Sequence, residues 1–237
     1  MTGASDRVVE SVAARALDLI EDGTRVGLGS ERAAAAFVVR LAARVREGLR
    51  VAGAPTSEAT ARQARDLGIP LIDLSEDVEL DVTIDGADEV APNLDLVKGW
   101  GGALVRERIV ASASRRQIIL TGQDKLVRAL GEHGRIPIEL IPFARGPVLR
   151  RLRSLGLRPT LRTGADGARS VITENSNLML DCAVSAPLAD GRAARKLEWA
   201  LRATPGVVDT GLFLGTAERV LVGHADSRVE VLRVRGA

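Results

Sequence analysis

Tyrosine is absent from this 237-residue chain, and only three phenylalanines and two tryptophans are present. A nucleic-acid surface would need aromatics among its basic residues. Arg150, Arg151 and Arg153 cluster without any, so no nucleic-acid partner is expected. The single cysteine, Cys182, excludes an intrachain disulfide and fits a reducing compartment. Histidine is equally scarce. His133 and His224 stand in loop-like stretches without a partner at ligand spacing, so both read as surface residues and no metal site is expected. No apolar run approaches the ~18 residues of a membrane helix. The N-terminal stretch has no signal-peptide pattern. A cytoplasmic protein without a membrane partner is the expectation.

Lysine is the most informative scarcity. Only Lys98, Lys125 and Lys196 occur among 33 basic residues. In a chain so biased toward arginine, each retained lysine points to a place where a compact ammonium group cannot be replaced by a planar fork. Net charge is only +2, so the pI near 9.2 reflects arginine rather than a basic surface. Hydrophobic content of 46% and charged content of 27% are ordinary for a globular protein, and the length allows one large or two modest domains.

Residues 4–20 carry apolar positions at helical spacing, and a short strand at 24–28 then runs into the turn Gly27-Leu28-Gly29-Ser30. An alanine-rich helix follows to about Glu47. A strand is expected at Leu49–Ala52, a helix opening with Pro55-Thr56-Ser57-Glu58 and ending at Gly68, and a strand at Ile69–Leu74. A further strand covers Arg116–Thr121. Strand and helix alternate as in parallel crossover units. After about residue 130 the pattern changes. A strand at Ile136–Ile141 leads to a helix ending at Ser154, two strands flank an Asp166-Gly167 turn, and another strand spans Leu178–Val184 before a helix at 190–203. Strands near Gly206–Thr210, Arg219–Val222 and Val229–Val234 are expected to return to the main sheet. The fold class is therefore α/β. A Rossmann-like parallel-sheet main domain, residues 1–129 and 207–237, carries a smaller α+β lid domain at 130–206.

Residues 81–110 concentrate the chemistry. The alternating run Val82, Ile84 ends in Asp85-Gly86, a turn-forming pair, and Asp88 and Glu89 follow. Next come Lys98, the glycines Gly99, Gly101 and Gly102, and a helical pattern holding Glu107. Carboxylates at a strand end, an ammonium group and backbone N–H groups ahead of a helix suit proton transfer on a small anionic or polyhydroxyl substrate. Asp85, Ser30 and Lys125 fall at the ends of three strands, the edge where ligands bind in open α/β sheets. Glu107 shares a helix side with Leu104 and Val110, which turns it inward as a candidate general base. Asp85, Asp88 and Glu89 could hold magnesium, but a nearby lysine competes for them. For Gly27 and Gly29, close packing and ligand contact are both open.

Several ordered motifs resemble type A ribose-5-phosphate isomerase over nearly the whole chain. They are VGLGS, GAPTSEAT, IDGADE, LVKGWGGALVRERIV, DKLV, PIELIPFA, TENSNLMLDC and PGVVDTGLFLG. The resemblance implies interconversion of ribose 5-phosphate and ribulose 5-phosphate by a dimer or tetramer with no metal or organic cofactor. It implies Glu107 as the base between carbons 1 and 2. Asp85 and Asp88 would hold sugar hydroxyls and assist ring opening, and Lys98 would stabilise the enediolate. Gly86 and Ala87 within DGAD, Gly99, Trp100 and Gly101 within the glycine turn, and Lys125 would contact substrate.

One departure stands out. Where the family reads GTGST, this chain reads Gly29-Ser30-Glu31-Arg32-Ala33. Two hydroxyls and a glycine are lost from the expected substrate loop. Either Arg32 supplies the lost contacts by bidentate phosphate binding while Glu31 turns outward, or phosphate affinity is reduced or the substrate has changed. The alternatives are an isomerase relative with altered sugar specificity, or a non-catalytic sugar-phosphate sensor.

Overall fold

A computed structural model describes residues 2–164 and 167–233. In chain order its elements begin α1 (Thr2–Leu17), β1 (Arg25–Leu28), α2 (Arg32–Arg46), β2 (Ala52–Pro55), α3 (Glu58–Asp66), β3 (Val82–Gly86), β4 (Glu89–Val90), β5 (Leu96–Val97) and α4 (Leu104–Ser112). They continue with β6 (Gln117–Gly122), β7 (Ile136–Leu140), α5 (Arg145–Ser154), β8 (Arg158–Leu161), β9 (Leu178–Ala183), α6 (Gly191–Arg202), β10 (Val207–Thr210), β11 (Leu212–Phe213), β12 (Arg219–Gly223) and β13 (Val229–Arg233). The chain divides into two compact units. The first holds the stretch up to Ala87, Arg106–Leu126 and the stretch from Gly215. The second holds Asp88–Val105 and Val127–Leu214.

The first unit is a six-stranded sheet in the order β13-β12-β6-β3-β1-β2. All its neighbours pair in parallel except the edge strand β13, which runs antiparallel to β12. Its core joins Val12 and Ala16 of α1, Phe37 and Leu41 of α2, and Val26, Leu28, Ile84 and Leu120 of the strands. Val110 of α4 packs with Ala54 and Leu80 in a separate cluster. Gly27 explains how closely α4 approaches. A Cβ there would lie 2.1 Å from Thr83 Oγ1 and 2.6 Å from Val110 Cγ1, so this glycine serves close packing. Helix α3 starts where Ser57 Oγ accepts the Thr60 N–H at 3.1 Å, a cap worth about 1 kcal/mol.

The second unit contains a four-stranded antiparallel sheet, β10-β7-β9-β8, and a three-stranded one, β11-β5-β4. Their core includes Ile138, Leu140, Leu180 and Cys182 with Val148 and Leu152 of α5 and Leu201 of α6. Residues 88–105 and 207–214, expected in the larger domain, group here because β4 pairs with β5, β5 with β11, and β10 with β7.

Other expectations differ locally. The second strand is Ala52–Pro55 rather than Leu49–Ala52, since its register on β1 runs Arg25↔Ala52 to Leu28↔Pro55. Ile69–Leu74 yields only the bridge Gly53↔Leu71, because Pro70 has no N–H to extend a ladder. β10 does not return to the main sheet. Asp85-Gly86 is no turn, as both residues belong to β3. Asp166 of the expected hairpin turn and Val234 of the last expected strand lie outside the described residues; among the described residues β8 precedes the turn, and the isolated bridges Thr163↔Ser170 and Ile172↔Leu178 flank it. His224 is buried rather than superficial, with Nε2 3.2 Å from Glu230 and Nδ1 3.0 Å from Arg228. Its neighbours on the β12–β13 hairpin enclose the ring.

Candidate active site

Strand ends carry the candidate residues of the first unit. β1 stops at Leu28, and Gly29 then passes directly beneath Asp85: a Cβ on Gly29 would lie 2.1 Å from Asp85 Oδ1. Asp85 is wholly buried and accepts the Gly86 N–H at 2.8 Å. Thr56 and Thr60 steady the turn from α3 and its approach. Thr56 Oγ1 donates to the Leu28 carbonyl at 3.1 Å, and Thr60 Oγ1 to the Gly29 carbonyl at 3.3 Å. The motif that caps a helix in the sequence thus also ties down the loop opposite, a role that capping propensity alone does not reveal.

Glu107 sits one turn into α4 and is only 1% exposed. Ser30 Oγ donates to its Oε1 at 3.0 Å. The hydroxyl fixes the orientation of a buried carboxylate, the kind of group a general base requires. Ser30 therefore meets Glu107, across 77 positions of sequence.

A cavity of about 550 Å³ opens at the carboxyl ends of the parallel strands. Its walls include Glu31, Arg32, Ala33, Gly86, Ala87 and Lys125, together with α1 residues such as Ser5 and Val8. Lys125 is half-buried in the short turn Gln123–Lys125 that follows β6. The substituted loop does not take the expected form. Arg32 is drawn to α1, where it pairs with Asp6 and donates to Ser5 Oγ at 2.8 Å. Glu31 lies inward over Gly86: a Cβ on Gly86 would sit 2.4 Å from Glu31 Cβ. Both outcomes have one cause. Glu31 occupies the N-cap position of α2 and its side chain takes the open space above Gly86, which leaves Arg32, the first helical residue, facing the carboxylate on α1.

Asp88, Lys98 and the glycine turn belong to the second unit. Asp88 is 2% exposed; its N–H donates to the Val97 carbonyl at 2.8 Å, and its Oδ2 accepts the Trp100 N–H at 2.9 Å. Lys98 is fully buried, with its N–H on the Gly211 carbonyl at 2.9 Å and its Nζ 5.8 Å from the centre of the Phe213 ring. Gly99 and Gly102 adopt φ of 102° and 93°, the left-handed region that a side chain resists. Gly101 faces open space. Glu89 is turned away toward the backbone, accepting the N–H groups of Gly131 and His133. Among the described residues no group of three or more His, Cys, Asp or Glu side chains is placed to hold a metal ion, and no helix is long and apolar enough to cross a membrane.

The sequence model of ribose 5-phosphate isomerase A (phosphoriboisomerase A) matches residues 52–227. The ribose-5-phosphate isomerase A of Gloeobacter violaceus is 48% identical over 228 residues, covering 96% of both chains. The chain belongs to the ribose 5-phosphate isomerase A family. Its Deinococcus radiodurans relative is 42% identical over 94% of this chain and 97% of its own. Among solved members, the enzyme of Methanocaldococcus jannaschii superposes with a TM-score of 0.89 at 37% identity, covering 96% of this chain and 99% of that one. A D-ribose-5-phosphate isomerase in complex with phospho-erythronic acid gives a TM-score of 0.90 at 32% identity, covering 96% and 98%. The α/β architecture, with its mostly parallel central sheet and additional antiparallel sheets, is the family's.

Proposed function

We propose that this chain is an aldose–ketose isomerase that interconverts D-ribose 5-phosphate and D-ribulose 5-phosphate through an enediolate. The observation that carries the reading is Glu107, a buried carboxylate receiving a hydroxyl from Ser30 at the ligand edge of a parallel sheet. In this scheme Glu107 removes the proton from carbon 2 of the open-chain aldose and the electron pair flows to the carbonyl oxygen. The hydroxyl proton on oxygen 2 passes to oxygen 1, and Glu107 returns its proton to carbon 1 as oxygen 2 becomes the ketone. Lys98 stabilises the negative oxygen of the intermediate, since a compact ammonium in a water-poor setting is strong electrostatic support. Asp85 and Asp88 hold sugar hydroxyls and assist ring opening. Gly29, Ser30, Gly86, Ala87, Gly99, Trp100, Gly101 and Lys125 serve substrate binding, and the cavity beside Lys125 suits the phosphate end.

The phospho-erythronic acid complex of a relative supports a phosphorylated open-chain sugar as substrate. Cytoplasmic location and a homodimer or homotetramer complete the reading, the latter testable by sedimentation.

Glu31 in the cavity wall favours a second reading in one respect only. A carboxylate where the family's loop has glycine opposes a phosphate dianion, so a raised KM or altered sugar preference is expected. Ribulose formation from ribose 5-phosphate, with chelator present, is the test. Turnover unaffected by chelator supports the proposal. Tight sugar-phosphate binding without turnover, or turnover only of another sugar, contradicts it.

A further inference from the structure

We infer that Arg162, held by Asp181, is a positioning residue for the isomerisation, setting the Gly99–Gly102 turn and, through the Gly99–Trp100 peptide, the carboxylate of Asp88. The inference rests on the reading of Asp88 as a substrate-handling group.

Arg162 follows β8, and its side chain is only 12% exposed. Its Nε donates to Asp181 Oδ2 at 2.9 Å and its Nη2 to Oδ1, the two-pronged grip of a guanidinium on a carboxylate. Nη1 is left over. It donates to two consecutive carbonyls, Gly99 at 3.1 Å and Trp100 at 3.0 Å, which lie more than sixty positions away in sequence. Carbonyls of neighbouring residues converge on one nitrogen only in a tight turn. The left-handed φ of Gly99 and the Gly102 N–H on the Gly99 carbonyl at 3.0 Å provide it.

Peptide planarity turns this grip into a relay, because the C=O and N–H of one peptide point in opposite directions. In the Gly99–Trp100 peptide the oxygen faces Arg162 and the N–H faces Asp88 Oδ2 at 2.9 Å. A cation thus sits at the negative end of a peptide dipole and an anion at the positive end. Both attractions hold the peptide in one orientation. In the next peptide, pinning the Trp100 carbonyl directs the Gly101 N–H away from the guanidinium.

Arg135 reinforces the arrangement. Its guanidinium lies 4.3 Å above the Trp100 ring and 3.6 Å from Asp181 Oδ2, and the Trp100 indole N–H donates to the Arg135 carbonyl at 3.4 Å. Asp181 therefore anchors two arginines that both restrain Trp100. A lysine at 162 could not serve a carboxylate and two carbonyls together, because its donors radiate from one nitrogen.

The test is a double-mutant cycle on ribose 5-phosphate turnover: wild type, Arg162→Gln, Asp88→Ala and the double variant, each checked for folding by circular dichroism. Arg162→Gln is expected to lower kcat by about 10²-fold, the scale of a misplaced reacting group, with a much smaller change in KM. In the Asp88→Ala background the same substitution is expected to cost about twofold or less. An equal fold-loss in both backgrounds overturns the inference, because Arg162 would then act independently of Asp88. So does wild-type kcat in Arg162→Gln while Asp88→Ala collapses. Full activity in Asp88→Ala would instead sink the assignment of Asp88, and this inference with it. If Arg162→Gln does not fold, Arg162→Lys replaces it. An intermediate loss that disappears in the Asp88→Ala background supports the relay, and a loss that persists there contradicts it.

Discussion

The loop Gly29–Ala33 and the turn Lys98–Gly102 look alike in sequence: short, glycine-bearing, and placed between a strand and a helix. Different forces hold them. In the first unit, chain crossings fix the loop. Gly29 has no room for a side chain beside Asp85, and Glu31 covers Gly86. In the second unit, a Cβ on Gly101 would meet nothing within 4 Å, and a guanidinium donates to the carbonyls of Gly99 and Trp100. Steric contact fixes one place where a reacting group must sit, and charge-assisted hydrogen bonds fix the other. A steric restraint is broken by adding atoms, and a hydrogen-bonded one by removing them.

That contrast can be broken at defined points. Gly29→Ala should have the largest effect, because the new methyl overlaps the Asp85 side chain and backbone. A loss of about 1–3 kcal/mol in urea unfolding is expected, with activity reduced by more than about 10²-fold. Gly101→Ala is its counterpart. The added methyl meets nothing, so stability should stay within about 0.5 kcal/mol of wild type. Ser30→Ala removes the hydroxyl from Glu107, and a hydrogen bond to a charged group is worth about 1.5–3 kcal/mol. A fall in kcat of about tenfold or more is the expectation, measured by steady-state kinetics, with a stability loss of about 1–3 kcal/mol in urea unfolding.

The smallest effect is expected at Cys182. Burial, and to a lesser degree the neighbouring Asp181 charge, pushes its thiol up to about 12. The folded protein therefore keeps the neutral, unreactive thiol at pH 8, whereas an unfolded chain with an ordinary thiol pKa, near 8.5, is partly ionised there. Native protein should resist a thiol reagent at pH 8 and react fully in denaturant. Because Cys182 belongs to the second unit, Arg162→Gln should speed its labelling more than Ser30→Ala does.

How much was legible follows from the same contrast. The alternation of strands and helices exposed the first unit, and the short stretch from Asp85 to Glu107 already held most of the candidate chemistry. Lysine scarcity drew attention to Lys98 and Lys125. Arginine abundance hid Arg162, since nothing local separates it from its many fellows, and its partners lie more than sixty positions away. The grouping of 88–105 with 207–214 was invisible for a related reason. It depends on two-residue strands such as β4, β5 and β11, too short to leave a periodic pattern. At Glu31 and Arg32 the residues were visible but their directions were not, because Asp6 on α1 and the bare backbone of Gly86 decided them.

The most direct measurement compares wild type with Glu107→Gln for conversion of ribose 5-phosphate in deuterated water, followed by NMR. The wild type should form ribulose 5-phosphate carrying solvent deuterium at carbon 1. The variant should fold normally and lose at least about 10³-fold in rate, within the range assigned to a positioned general base. Wild-type turnover in Glu107→Gln, or product formed without passage through an exchangeable proton on that residue, would contradict the account.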